Sequence, residues 1–368
     1  MSAESFVKWQ PSPLMEWAKS GYVGGRFNLA RSGVPSITDV NTLPGGPFVP
    51  DIGGHNEWGH DGLRQRIAEW YGTDPANILL AQGASQSNFL IAGALLSGGG
   101  TAIVETPIYE PILRGVQVWA NRVIRLPRRK QDGYQPDPEE LKRLITADTK
   151  VIMLTDLHNP THVALESDRR AAIIETAQRV GAAVMIDEVF LPMIRRDFRF
   201  HGFSDGAISI NSLGKSWGLD GLRIGWAVGP RDVIHRAYRL NNLLGVNQPY
   251  MTEDLACRIL NSPAAVDWMI ARTNEAAQGR SLFDDFLART PEVKSIPSAG
   301  GISALVELPG QPDDRAFAKR IFEEWDTVVF PGSYFECPGC LRVSFGGPRA
   351  EVAEGLNRLG QQARSLSQ

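Results

Sequence analysis

Apolar positions along this chain fall into two alternating patterns. Short runs that are apolar almost throughout read as strands buried on both faces: Ile78 to Ala81, Ala102 to Glu105, Arg122 to Leu126, Val151 to Thr155, Ala183 to Asp187, Ala207 to Ile210 and Leu222 to Val228. Between several of them lie runs with apolar residues three and four apart, Ser87 to Leu96, Pro138 to Thr146 and Ser167 to Val180, which read as amphipathic helices. The alternation predicts a three-layer α/β/α domain around a mostly parallel seven-stranded sheet, with ligands bound beyond the carboxyl ends of its strands.

Ahead of the first helical stripe (Leu63, Ile67, Ala68, Trp70, Tyr71), residues 1–50 are rich in Pro, Gly and Asn and read as an arm draped over another part of the molecule. Beyond the sheet, Arg231 to Leu244 and Met251 to Leu287 read as long helices, the second interrupted near Pro263. From Pro291 the pattern predicts a smaller α+β unit, with strands at Gly301 to Leu308 and Leu341 to Phe345 and a helix at Asp313 to Trp325. The expected division is a large domain over 45–285, with 1–44 and 286–368 forming the arm and the small domain.

Composition narrows the class. The 368 residues are 43% hydrophobic and 21% charged with a net charge of -3, which is globular and offers no electrostatic footprint for nucleic acid. The basic cluster Arg125 to Lys130 reads as a solvated loop. Met1 to Pro13 lacks the apolar core of a secretory signal, and the smoothest apolar run, Phe89 to Leu96, is too short to span a bilayer. Three cysteines, an odd and small number, fit a reducing cytoplasm, and Cys337-Pro-Gly-Cys340 has no second pair to complete a metal site.

Polar residues then appear where the predicted strands end. Gly83-Ala84-Ser85 opens a helix, where free N–H groups favour an anion, although taken alone the signal favours Ser85 as a simple helix cap. Asp187 ends a buried strand and needs a donor or a cation, Asn159 precedes a turn-fixing proline, and Tyr109 offers a flat face after a third strand. Lys215 sits in the glycine-rich turn Ser212-Leu-Gly-Lys215 between two apolar runs. Arg223 and Arg342 each stand among apolar residues, the setting of an arginine that holds a carboxylate or phosphate.

Taken together, these residues resemble the class I and II aminotransferase family of fold-type I pyridoxal phosphate enzymes over nearly the whole chain. The resemblance implies that Lys215 carries pyridoxal 5'-phosphate as an internal aldimine, that Ser212, Arg223, Ala84 and Ser85 hold its phosphate, and that Tyr109 stacks on its ring. It further implies that Asn159 faces the ring hydroxyl and that Asp187 holds the ring nitrogen. Arg342 would grip the substrate carboxylate, Gly33 would belong to a loop closing over it, and no metal is required. The implied activity is transfer of an α-amino group from an amino acid to a 2-oxo acid by a homodimer.

Departures from the family pattern are also visible. Phe190 replaces a tyrosine that donates to the ring oxygen, His162 replaces a glycine, Gly214 replaces a serine, and the upstream tyrosine that reaches a neighbouring subunit's phosphate is missing, with His55 or Trp58 in its neighbourhood. The segments Leu14 to Trp17, Asn28 to Val34 and Phe330 to Gly332 also resemble capreomycidine synthase-like biosynthetic members that eliminate or cyclise. A non-catalytic sensor is the remaining reading; about 25 residues precede the first family-like loop, too few for an added DNA-binding domain.

Overall fold

The computed structural model describes residues 9–20, 24–310 and 312–366. Helix α1 (Pro13–Lys19) and strand β1 (Phe27–Asn28) lead to α2 (Asp61–Tyr71). Strands and helices then alternate: β2 (Ile78–Gln82), α3 (Gly83–Leu96), β3 (Thr101–Thr106), α4 (Glu110–Trp119), β4 (Arg122–Pro127), α5 (Pro138–Leu144), β5 (Thr149–Thr155), α6 (Ser167–Gln178), β6 (Ala183–Asp187), β7 (Ile208–Ser212) and β8 (Ile224–Val228). Helices α7 (Arg231–Asn241), α8 (Tyr250–Asn261), α9 (Ala265–Ala277) and α10 (Gly279–Arg289) precede β9 (Lys294–Ser295) and β10 (Ser303–Glu307). The chain ends with α11 (Asp314–Trp325), β11 (Thr327–Val328), β12 (Phe330–Pro331), β13 (Cys340–Ser344) and α12 (Arg349–Arg364).

The seven-stranded sheet has the order β2-β8-β7-β6-β5-β3-β4. Pairings from β4 to β7 are parallel, whereas β8 runs antiparallel to both β7 and β2. Its amino end therefore lies at the edge where the other strands have their carboxyl ends. The two-residue period of a strand explains how both faces are filled: Leu79 and Ala81 pack under α3 and α7, while Ile78 and Leu80 pack with Leu63 and Ile67 of α2 on the opposite side. Further along the second face, Ile103, Ile152 and Leu154 meet Leu141 of α5 and Ile173 of α6.

A four-stranded antiparallel sheet, β12-β13-β10-β9, forms the smaller α+β unit, with Phe283, Phe286, Phe317, Phe345 and Leu356 in its core. Strand β1 pairs in parallel with β11, and Leu29 enters this core, so the arm is fastened to the small unit.

Three expectations need correction. The arm contains a real helix: Pro in its first turn and the Ser12 side chain accepting from Met15 N start α1, which is too short to display a periodic stripe. The predicted helical stretch Met251 to Leu287 breaks near Pro263 as expected, and a second, unexpected break at Gly279 makes it three helices. A Cβ at Gly279 would lie 1.8 Å from the Phe345 carbonyl oxygen, so α10 needs a glycine where it meets the small sheet. The basic stretch is solvated only at its end: Arg125 lies in β4, Arg128 is buried, Arg129 and Lys130 stay partly exposed, and each charge has an acidic partner. Arg128 is fully buried against Glu105, and Arg125 and Lys130 reach Glu336 and Glu307 in the small unit.

Candidate active site

At the carboxyl edge of the large sheet is a cavity of ≈ 400 Å³. Its walls include Ala84, Ser85, Tyr109, Asn159, Asp187, Ser212, Lys215, Arg223 and Arg342, so nine residues picked from scattered stretches of sequence converge on one space. Gly33 does not line it. A Cβ there would lie 2.9 Å from the Gly214 carbonyl oxygen and 3.1 Å from that of Lys215, while Val34 N donates to Lys215 O at 2.9 Å. Gly33 thus braces the back of the lysine turn instead of covering the cavity.

One end of the cavity is built for an anion. Helix α3 begins directly at Gly83, whose φ is +78°, and its N-cap Gln82 makes no side-chain cap, so the first-turn N–H groups are left without one. Ser85 is inside the helix and is not its cap. A Cβ on Gly225 would lie 2.3 Å from the Gly83 carbonyl carbon, and one on Gly83 would lie 2.6 Å from Arg223 Nη2. Both glycines are therefore needed to bring β8, the α3 terminus and the guanidinium together. Arg223 lies in a left-handed turn (φ 54°) just before β8, outside the strand predicted from Leu222; its guanidinium donates to the carbonyls of Asp220 and Gln82. The hydroxyls of Ser85 and Ser212 complete the cluster of donors.

Asp187, at the end of β6, has no ion-pair partner among the described residues. Its Oδ2 accepts from Asn88 Nδ2 at 2.6 Å and its Oδ1 from Val189 N at 3.2 Å. Burial pushes its carboxyl up to about 6 against the pull of these bonds and of Lys215. Lys215 is driven the other way, down to about 8, by burial and by the nearby Arg342 charge, with Asp187 opposing. Its Nζ donates to Ser32 Oγ at 2.6 Å and stands 5.7 Å from the centre of the Phe190 ring.

Arg342 is buried, with Nη1 donating to Asn159 Oδ1 at 3.1 Å and Nη2 to the Ala30 carbonyl at 3.4 Å, while Nε has no partner among the described residues. Asn159 therefore spends its oxygen on Arg342, and its amide nitrogen is what remains for the cavity. Phe190 lines the wall and packs against His162 with ring centres 4.6 Å apart and planes tilted by 44°; His162 has φ 56° and its Nε2 meets Ser303 Oγ at 2.9 Å. Burial beside Arg342 pushes this imidazole down to about 3, so it is neutral at physiological pH. Two participants escaped sequence reasoning, Ser32 and Asn88. The latter left a trace, a polar residue beside an otherwise apolar helical run.

A cluster of anion-binding donors, a lysine with a depressed pKa, and a buried carboxylate lacking a cation fit pyridoxal 5'-phosphate, whose three chemical ends ask for those groups. Fold and site together define a pyridoxal phosphate-dependent transferase of fold type I. Residues 55–359 match the family described as aminotransferase class I and II, and the chain belongs to that family. It is 24% identical to capreomycidine synthase of Streptomyces vinaceus over 95% of this chain and 93% of the relative. It is 27% identical to arginine–pyruvate transaminase AruH of Pseudomonas aeruginosa over 84% and 81% of the two chains. Among solved structures, the pyridoxal phosphate-dependent cyclase OrfR superposes with a TM-score of 0.85 at 27% identity, covering 99% of this chain and 100% of that one. Aspartate aminotransferase of Thermus thermophilus shares the fold, with a TM-score of 0.85 at 19% identity over 98% and 99%.

Proposed function

We propose that this enzyme transfers the α-amino group of an amino acid to a 2-oxo acid in two half-reactions, with Lys215 as covalent anchor and proton carrier. When bound, the cofactor supplies an electron sink for the bond broken at the substrate's α-carbon. The carrying observation is that Lys215 and the cation-less carboxylate of Asp187 share one cavity with a donor cup at its end. In this reading Ser85, Ser212, Arg223 and the N–H of Ala84 hold the phosphate, and Asp187 holds the ring nitrogen with its proton. Tyr109 and Asn159 fix the ring. Arg342 clamps the substrate carboxylate, orienting the scissile bond. Lys215, whose amine is held below the usual lysine range by burial and the Arg342 charge, can both accept and return the proton.

Cyclisation or elimination is kept as a second reading because the matches to capreomycidine synthase and to the cyclase OrfR span nearly the whole chain. The two readings separate on mixing the loaded enzyme with single amino acids. Accumulation of the amino form of the cofactor, with release of a 2-oxo acid, supports transamination; ammonia or a cyclised product without it overturns that reading.

We also infer a homodimer. Val49, Ile52, Trp58, Leu243, Leu244 and Val246 are all exposed, and their two segments are joined by Asn56 to Gln248 and Asn247 to Asn56 hydrogen bonds. A cytoplasmic setting agrees with three free cysteines, and among the described residues no helix is long and apolar enough to cross a membrane.

A further inference from the structure

We propose that the amino acid taken by this enzyme carries an uncharged, apolar side chain, which lies against a wall made by α1 and Phe330. This deepens the amino-transfer reading above and rests on it. Among the described residues, the charged groups lining the cavity are Asp187, Lys215, Asp220, Arg223 and Arg342. In the reading above, Lys215, Asp220 and Arg223 belong to the lysine turn and the donor cup, and Asp187 is committed to the ring nitrogen. That leaves Arg342 for a substrate, and its surroundings show where the substrate's side chain goes.

The Arg342 guanidinium lies 4.8 Å from the ring centres of both Phe330 and Phe335, and Trp17 of α1 packs on Phe330 at 4.4 Å. A carboxylate held by Arg342 therefore places the neighbouring carbons beside Phe330 and α1. This helix turns Leu14, Met15 and Ala18 into the cavity, while Glu16 and Lys19 are exposed on its other side.

The helix is held in that rotation. Glu110 Oε2 accepts from Ser12 Oγ and from Leu14 N, both at 2.9 Å, and Tyr109 Oη lies 3.4 Å from Met15 Sδ. The other oxygen of Glu110 is taken by Arg114, so both oxygens of this acid already have partners, and neither Glu110 nor Glu16 lines the cavity. A carboxylate or guanidinium pressed on this wall would lose its water without gaining a partner, whereas methylene groups would be buried favourably.

The test uses the cofactor-loaded full chain and has two parts. In the first, 4-methylpentanoate, glutarate and 5-guanidinopentanoate, which lack an amino group and cannot react, are titrated by calorimetry. Binding of 4-methylpentanoate at least ~100-fold tighter than the two charged acids is expected; equal or tighter binding of either charged acid overturns the proposal. In the second, the cofactor spectrum is followed after mixing with 2-aminobutyrate, norvaline, norleucine, aspartate or arginine. Rates rising about four-fold per methylene, and far below these for the charged pair, are expected. The variant Ala18→Glu should weaken norleucine and favour arginine, with cofactor absorbance confirming that it is folded and loaded; an equal effect on both counts against the wall. If the analogues bind in the expected order but no amino acid alters the spectrum, the amino-transfer reading fails and the apolar wall stands.

Discussion

Asn88→Ala isolates the one strong contact that Asp187 makes in the cofactor-free protein. The Asp187 carboxyl is raised from 3.8 to about 6, which corresponds to about 3 kcal/mol of penalty on its charged form. The sign follows from linkage. A carboxyl with a raised folded-state pKa contributes its full share of stability below its unfolded value, near pH 3.8, and loses it as pH climbs through 6. The Asn88 bond, at 2.6 Å to a buried carboxylate, is the largest force opposing that loss. Removing it should cost about 1.5–3 kcal/mol where Asp187 is ionised and about 1 kcal/mol or less where it is protonated. Urea unfolding of cofactor-free wild type and Asn88→Ala at pH 4.5 and pH 7.5 reads both numbers. Equal destabilisation at the two pH values would refute the reasoning, since it would make Asn88 a packing residue indifferent to the charge on Asp187.

Other expectations are more direct. Lys215→Ala should still bind pyridoxal phosphate but without a borohydride-reducible link, and turnover should vanish; a reducible link in the variant would point to another lysine. Phe190→Tyr should lower the pH midpoint of the bound cofactor's absorbance by about one unit, because a hydroxyl in that wall can donate to the ring oxygen; an unmoved midpoint would place residue 190 outside its reach. Gly225→Ala drives a Cβ to within 2.3 Å of the Gly83 backbone and should raise the cofactor Kd more than ten-fold, measured by dialysis and fluorescence, with a smaller effect on the sheet's far edge seen by hydrogen exchange.

Much of the site was legible because buried strands leave few places for a charge. Asp187, Asn159 and Tyr109 each follow or end an apolar run; each position is a weak signal alone, and their conjunction at several strand ends is what marks a crevice, with Ser212 added by the family resemblance. Arg223 and Lys215 were legible for the same reason, being polar interruptions between β7 and β8. What escaped depends on contacts that local pattern does not encode. Asn88 is 99 residues from its partner, and Ser32 is 183 residues from Lys215. The burial of Arg128 escaped because its partner Glu105 belongs to a neighbouring strand, so the stretch looked like surface charge. Helix α1 depends on Glu110 and on Phe330, and seven residues carry too little periodicity to announce it. Gly33 was noticed for its family-like loop, yet backbone proximity to Lys215 is what forbids a side chain there.

The reversed direction of β8 has a consequence for how the site is encoded. A parallel strand would need a crossover and would deliver its first residue to the opposite rim. Because β8 doubles back, Ser212, Lys215 and Arg223 all come from one short uninterrupted connection, and its neighbour β2 delivers the α3 terminus to the same place. The anchoring of the cofactor is thus nearly a single genetic cassette. Insertions and permuted ends can be accommodated at many surface turns, but a cut between β7 and β8 severs the one stretch in which nucleophile and phosphate grip are inherited together.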